Sequence, residues 1–341
     1  MSHVVLEDIR VESGAVVSRA PDGPFRRFVT GNRAAIGTFV VFVVMMAVFM
    51  IASPEVFGSW DIYNSVMVTL PVALCLTVPL VFVVTVGEID LSFPATMGFA
   101  AWIFALLIQA GAPAGLAIVA ALATGIVLGL GVGALVVYAQ LSSLIATLGM
   151  NYMLRGLILI ITQGKSIALF QLRDSTTAKL FSDNIFGVPV QMLWALAFVV
   201  FAGLLFNRHR FGARVHVVGD NPDSAGQMGI NVRRVRMATY AFMGLGAGLA
   251  GVFTTLVNFT WWPSTGDGYL LPAIASVFVG GTPTWGGVGT IAGGAIGALT
   301  VAFIQTGIVA AGLSGFYVQF FNGLIIILAL LGHRWNQKRY R

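Results

Sequence analysis

Residues 208–236 read RHRFGARVHVVGDNPDSAGQMGINVRRVR, and the reading of this stretch decides how the rest of the chain is read. It holds six arginines and lies between long apolar blocks. Those blocks exceed the roughly 18–20 apolar residues that cross a bilayer. A polytopic membrane protein with one sizeable basic segment on a single side presents a docking surface there. The arrangement implies a chain that moves something across a membrane for a soluble partner.

Composition agrees. The chain has 341 residues, 57% hydrophobic and 9% charged, with a mean hydropathy of +0.90. A soluble domain carries about a quarter charged residues. The net charge of +6 sits in loops and tails, as the positive-inside rule expects, so nucleic acid is not an expected partner. Cys75 is the only cysteine, which excludes an intrachain disulfide and a cysteine metal site; it reads as a small core residue. No metal-ligand spacing is found among the histidines, and no metal is expected.

Residues 1–33 are polar, include Arg26, Arg27 and Arg33, and read as a cytoplasmic tail rather than a secretory signal. Ten spans follow, near residues 34–53, 62–86, 93–109, 114–139, 141–162, 191–207, 237–258, 269–281, 288–311 and 316–332. The eighth is short and reads as broken or re-entrant. Residues 333–341 form a basic tail. With ten spans, both tails and the 208–236 loop share one side, which receives 15 of the 19 Lys and Arg residues. That side is cytoplasmic. The expected domains are therefore the tail 1–33, a transmembrane domain 34–332 and the tail 333–341.

Two pairs of segments are alike. Asp90-Leu-Ser-Phe-Pro94-Ala95 matches Asp267-Gly-Tyr-Leu-Leu-Pro272-Ala273, and Gly131 to Val137 matches Ala295 to Val301. The paired helices run in opposite directions in the span order, the pattern of an inverted repeat of spans two to five and seven to ten. Glycines four apart, at 125 and 129, 244 and 248, 293 and 297, let helices pack closely in lipid.

Gly164-Lys165-Ser166 is not a phosphate-binding loop, because position 159 is leucine. The chain should therefore bind no nucleotide and need no cofactor of its own. Glu88 and Asp90 lie between spans two and three and read as interfacial, with Ser92 and Pro94 as helix-start signals. Asn221-Pro222 is an N-cap followed by a first-turn proline, Asp223 favours the helix dipole, and Gly229 ends the helix. Such a short, isolated helix needs a groove on another protein.

In order, Gly87-Glu-Ile-Asp-Leu-Ser92, Ala146-Thr-Leu-Gly149 with Arg155-Gly156, Gly219 to Asn231, Gly248-Leu-Ala-Gly251, Ala273 to Thr282, Gly286-Gly-Val-Gly289 and Gly293 to Ala298 carry a resemblance. The chain resembles permease subunits of bacterial ABC importers for simple sugars, the ribose, xylose and arabinose group. The resemblance covers about residues 60–332. It implies an all-α permease fold in the bacterial inner membrane, a second permease subunit, identical or related, and a cytoplasmic ATPase that hydrolyses ATP. It also implies a periplasmic binding protein that delivers a sugar or polyol. It places the ATPase-coupling helix at about Asn221 to Ile230, with Pro222, Asp223, Ala225 and Gly229. The chain departs from the family at Glu88, Phe93-Pro94 and near Leu270 and Pro272.

Sugar paths use aromatic faces and a few amides. The candidates are Asn64, Asn258 and Gln305, then Trp102, Asn151, Trp261, Trp262, Phe278 and Asn322. Arg173 and Lys179, in the polar stretch 163–190, are expected to meet the binding protein. The rival reading is an ion-gradient-driven secondary transporter of a small polar solute, which needs buried charged or polar ion sites that most spans lack. An intramembrane enzyme would need a nucleophile with its base inside the spans, and none is found.

Overall fold

The computed structural model describes residues 33–339 apart from 174 and 186. The expected tail up to residue 32, with His3, Arg26 and Arg27, lies outside the described residues, as does Asp174. In chain order the helices are α1 (Arg33–Ala52), α2 (Pro54–Phe57), α3 (Trp60–Thr85), α4 (Phe93–Gln109), α5 (Ala114–Val137) and α6 (Ser143–Thr162). Strand β1 (Ile167–Ala168), helix α7 (Thr176–Ser182), strands β2 (Asn184–Ile185) and β3 (Val188–Pro189) and helix α8 (Val190–Asn207) follow. Next come α9 (Arg210–Asp220), α10 (Pro222–Gln227), α11 (Val232–Asn258), β4 (Thr260–Trp261), α12 (Leu270–Val279), α13 (Ile291–Ala310) and α14 (Phe316–Arg339).

Seven of these, α1, α3, α5, α6, α8, α11 and α13, are long and apolar enough to cross a membrane; α4, α12 and the apolar part of α14 are shorter. The protein is a multi-pass membrane protein of all-α architecture. The ten apolar helices fall where the apolar segments of the sequence place them. Two boundaries differ. α11 begins at Val232, so Arg233, Arg234 and Arg236 ride on a helix instead of a loop. α14 continues to Arg339, so most of the basic tail extends the last helix.

Neighbour relations recur between the halves. α11 packs along α5 as α3 packs along α13, α4 lies on α5 as α12 lies on α13, and α4 touches α6 as α12 touches α14. α3 and α11 meet each other at the centre. This is the packing an internal repeat of α3–α6 and α11–α14 requires.

The central packing depends on missing side chains. A methyl group on Gly125 or Gly244 would strike the other's carbonyl oxygen, so α5 and α11 touch backbone to backbone. Gly246 likewise lets α11 close on the Cys75 carbonyl and the Pro79 ring of α3. Pro79 has no N–H to offer that carbonyl, the i−4 partner in an ordinary helix. Pro71 and Pro79 both stay inside α3, which is buried along nearly all of its second half.

The stretch 163–190 is built from small elements. β1 pairs antiparallel with β4, Ile167 opposite Trp261 and Ala168 opposite Thr260. β2 and β3 form a hairpin. α7 is fixed to α8 by Trp194, which stacks on Phe181 at 5.3 Å and donates its Nε1–H to the Leu180 carbonyl at 3.0 Å.

Candidate functional site

Two regions gather polar side chains. The first is at the basic end of the bundle. The expected short helix exists as α10, and its cap is as read: Asn221 Oδ1 accepts from the backbone N–H of Asp223 and Ser224, both at 3.0 Å. At the other end Ile230 N–H bonds Ala225 O and Gly229 N–H bonds Gly226 O, each at 3.0 Å, with Gly229 at φ +78°. This is a Schellman stop, which needs a left-handed residue at that position.

The helix is not isolated, which corrects the sequence reading. It follows α9, an eleven-residue helix whose Gly212, Val215 and Val218 are buried. Gly219 of α9 presses on the Thr85 carbonyl at the end of α3 and on the Gly287 N–H. His216 Nδ1–H reaches the Gly287 carbonyl at 3.0 Å, and its ring stands against Phe206 at 4.6 Å. Ala225 is fully buried within the chain's own core, whereas Asp223, Ser224, Gln227 and Met228 are exposed, Met228 at 72%. The marginal stability of a short helix is therefore offset by packing on its own chain.

Beside α10 lies a cavity of about 580 Å³ lined by Glu88, Gln140, Ser143, Asp223, Arg233 and Arg236. Glu88 Oε1 and Arg236 Nε are 3.2 Å apart, an ion pair not aligned as a hydrogen bond. Asp90 is buried. Its carboxylate accepts from Ser92 N–H at 2.7 Å and from Ser92 Oγ at 2.6 Å. Burial pushes Asp90 above its ordinary value, and the Ser92 and Phe93 hydrogen bonds pull part of the way back. The loop is held from both sides: Leu91 N–H donates to Thr147 Oγ1 at 3.0 Å, and Tyr240 OH donates to the Ile89 carbonyl at 3.4 Å.

The second region is a cavity of about 320 Å³ between α3, α12, α13 and the loop 262–269. Thr69, Asp267, Tyr269, Ser276 and Gln305 line it beside Ala73, Pro272, Ala298 and Val301. The loop folds back against α4 and α6. Arg155 of α6 holds it, with Nη1 donating to the carbonyls of Pro263 at 2.6 Å and Thr265 at 3.1 Å, and Nη2 pairing with Asp267 Oδ1. Trp261 Nε1 donates to the Gly98 carbonyl at 3.0 Å.

The structure brings few of the expected path residues together. Gln305 lines the cavity just described. Phe278, 7% exposed, lines a separate apolar cavity of about 240 Å³ with Leu80, Val84 and Ile274. Trp261 is fully buried, and Trp262 is 42% exposed. Trp102 packs edge-on against Phe99 at 5.3 Å. Asn64 and Asn258 are exposed, and Asn258 Nδ2 donates to the Thr254 carbonyl of its own helix at 2.8 Å. Asn151 Oδ1 on α6 and Asn322 Oδ1 on α14 are buried with no hydrogen-bond partner among the described residues. Arg173 and Lys179 are exposed on the 163–190 segment. Arg155 and Asp267 were missed as a pair. The signals were Arg155, a charge within the span 141–162, and Asp267, which aligns with Asp90 in the repeated segment.

The all-α membrane fold agrees with what the chain is similar to in sequence. A family model described as "Branched-chain amino acid transport system / permease component" matches residues 62–330. The ribose import permease protein RbsC of Escherichia coli K12 is 30% identical over 296 residues, 86% of this chain and 92% of that protein. The D-allose transport system permease protein AlsC of the same organism is 30% identical over 86% of this chain and 90% of that protein. The autoinducer 2 import system permease protein LsrD of Salmonella paratyphi B is 30% identical over 77% of this chain and 80% of that protein. These matches decide against the ion-gradient-driven transporter. The chain belongs to this family of transport-system permease components, the membrane subunits of ABC importers, and is a transport subunit and not an enzyme.

Proposed function

We propose that this chain lines the path of an importer for a sugar or polyol in a bacterial inner membrane, with both termini cytoplasmic. The orientation rests on the 15 of 19 Lys and Arg residues that fall on one side. The permease works with a second copy or a related permease. A periplasmic binding protein delivers the solute near Arg173 and Lys179. A separate cytoplasmic ATPase binds ATP, and this chain holds no nucleotide. The relatives named for ribose and D-allose support the solute class.

The observation that carries the coupling role is the α9–α10 unit. It packs onto the ends of α3 and α11 while exposing Ser224, Gln227 and Met228. Force on that exposed face passes to α3, because Gly219 has no side chain to yield between α9 and Thr85, and α9 also touches α11. Asn221, Pro222, Gly229 and Ile230 set the shape of the unit, Asp223 lies on its rim, and Ala225 anchors it.

The test is Met228→Glu against Ala225→Arg in the complete importer. Met228→Glu should leave membrane yield intact and release the ATPase on co-purification. Ala225→Arg should lower the yield of the permease itself, because a charged side chain cannot enter that packed position. Normal ATPase retention and uptake with Met228→Glu would place the coupling contact elsewhere.

A further inference from the structure

We infer that the cavity walled by Asp267 and Gln305 is a solute-binding site of the permease, selective for neutral polyhydroxylated molecules, with Arg155 as its positioning residue. The inference rests on the importer reading above and adds where the solute sits and what recognises it.

Depth is the first reason. Thr69 of the 26-residue α3 and Gln305 of α13 line the cavity from the helices, and the loop 262–269 closes it. Arg155 lies inside α6, and an ionisable group within a membrane helix is expensive to keep and marks a functional site. Asp267 remains 60% exposed there, although Arg155 beside it is only 15% exposed. The open side of that carboxylate is free to meet a solute while Arg155 holds the other.

Chemistry is the second reason. Arg155 engages Asp267 through Oδ1. Oδ2 is left to accept from hydroxyls, and a carboxylate suits two adjacent ones. Gln305 carries both a donor amide and an acceptor carbonyl. Ala73, Pro272, Ala298 and Val301 supply an apolar floor for the C–H face of a ring. The Arg155 charge already balances Asp267, so the site gives no net attraction to a cation and none to an anion.

Rigidity is the third reason. Three carbonyl or carboxylate oxygens of the loop converge on one guanidinium. Thr265 Oγ1 accepts from Trp262 N–H at 3.2 Å, and a side chain on Gly266 would strike the Pro94 carbonyl. The loop is thus a preformed wall that presents Asp267 in one position. A preorganised wall is what lets a few polar groups select a ligand.

The test uses the whole importer in proteoliposomes. Ala73→Cys places a thiol on the cavity wall and leaves Asp267 and Gln305 in place, and Cys75 is fully buried. The probes are a methanethiosulfonate reagent with D-ribose, D-allose, putrescine or succinate as protectant, in resting and nucleotide-trapped states. A neutral sugar should slow labelling in at least one state, while the diamine and the dicarboxylate should not. Asp267→Asn should weaken that protection about tenfold, the size of a lost charged hydrogen bond, and Gln305→Ala should raise the half-saturating sugar concentration for uptake. Arg155→Lys should weaken protection too, with Asp267 still present.

Protection that survives Asp267→Asn, or protection by putrescine or succinate, would overturn the site. So would unchanged uptake in both Asp267→Asn and Gln305→Ala vesicles, and in that case the importer reading stands. ATP-driven uptake of neither sugar by wild-type vesicles, with putrescine or succinate taken up instead, would overturn the sugar reading and the site with it.

Discussion

Glu88 Oε1 lies 3.2 Å from Arg236 Nε, joining the loop after α3 to the first turns of α11. These are the two helices that meet at the centre of the repeat. The pair is 10% exposed on the Glu88 side and 27% on the Arg236 side. Removing one charge should therefore destabilise by about 1–3 kcal/mol, between the values for exposed and buried pairs. Glu88→Gln, Arg236→Gln and the double variant, unfolded reversibly in mixed micelles, give the coupling energy directly. A coupling of zero would show that the two charges do not feel one another.

The α5–α11 seam predicts a contrast between glycines. Gly244→Ala forces a methyl group into the Gly125 carbonyl, a backbone atom that cannot rotate away. The expected destabilisation is about 1–3 kcal/mol, as for overpacked cores. Gly149→Ala on α6 meets nothing within 4 Å and should stabilise by about 0.5–1 kcal/mol through helix propensity. Equal thermal midpoints for the two variants would contradict the close approach.

Arg155→Lys should loosen the 262–268 loop. A lysine ammonium has no planar fork and cannot reproduce three converging bonds to Pro263, Thr265 and Asp267. Backbone amides of peptides spanning 262–269 should exchange hydrogen faster, with α5 and α11 unchanged. Exchange that remains as slow as in the native protein would show that Trp261 and Gly266 hold the loop without help.

Asp90 gives a pH prediction. Its folded value is raised above 3.8 by burial. The folded protein therefore holds this proton more tightly than the unfolded chain does. Its contribution to stability is present below the unfolded value and is lost as pH rises through the folded one. Asp90→Asn keeps an oxygen to accept from Ser92 and removes the titration. The variant's thermal midpoint should fall less than the native one between acidic and neutral pH. Parallel profiles would refute the assignment.

Reversing Arg173 and Lys179 together to glutamate should slow binding-protein-stimulated ATP hydrolysis most at low salt. Exposed charges steer encounter and are screened by ions. Basal hydrolysis should change little, since it needs only the cytoplasmic contact. Stimulation identical to wild type at every ionic strength would move the docking surface off this segment.

The linear sequence alone was enough for the all-α class, the positions of the apolar helices, the repeat and the capped helix at 221–230. Each rests on a local rule. Apolar length sets a span, Asn221-Pro222 starts a helix, and Gly229 stops one because only glycine adopts φ +78° without strain. Which side each residue faces is not local. Ala225 reads like any residue of an exposed helix, yet α9 and α11 close over it. Trp261 and Gln305 read alike as path residues. The β1–β4 pairing and the Gly98 carbonyl bury the first, and the fold of α3, α12 and α13 leaves the second facing a cavity. Arg155 and Asp267 stand 112 positions apart, and no periodicity links them. Only the return of the 262–268 loop between α4 and α6 brings their charges together, because a charge inside the bundle is stable only where the chain folds a partner up to it.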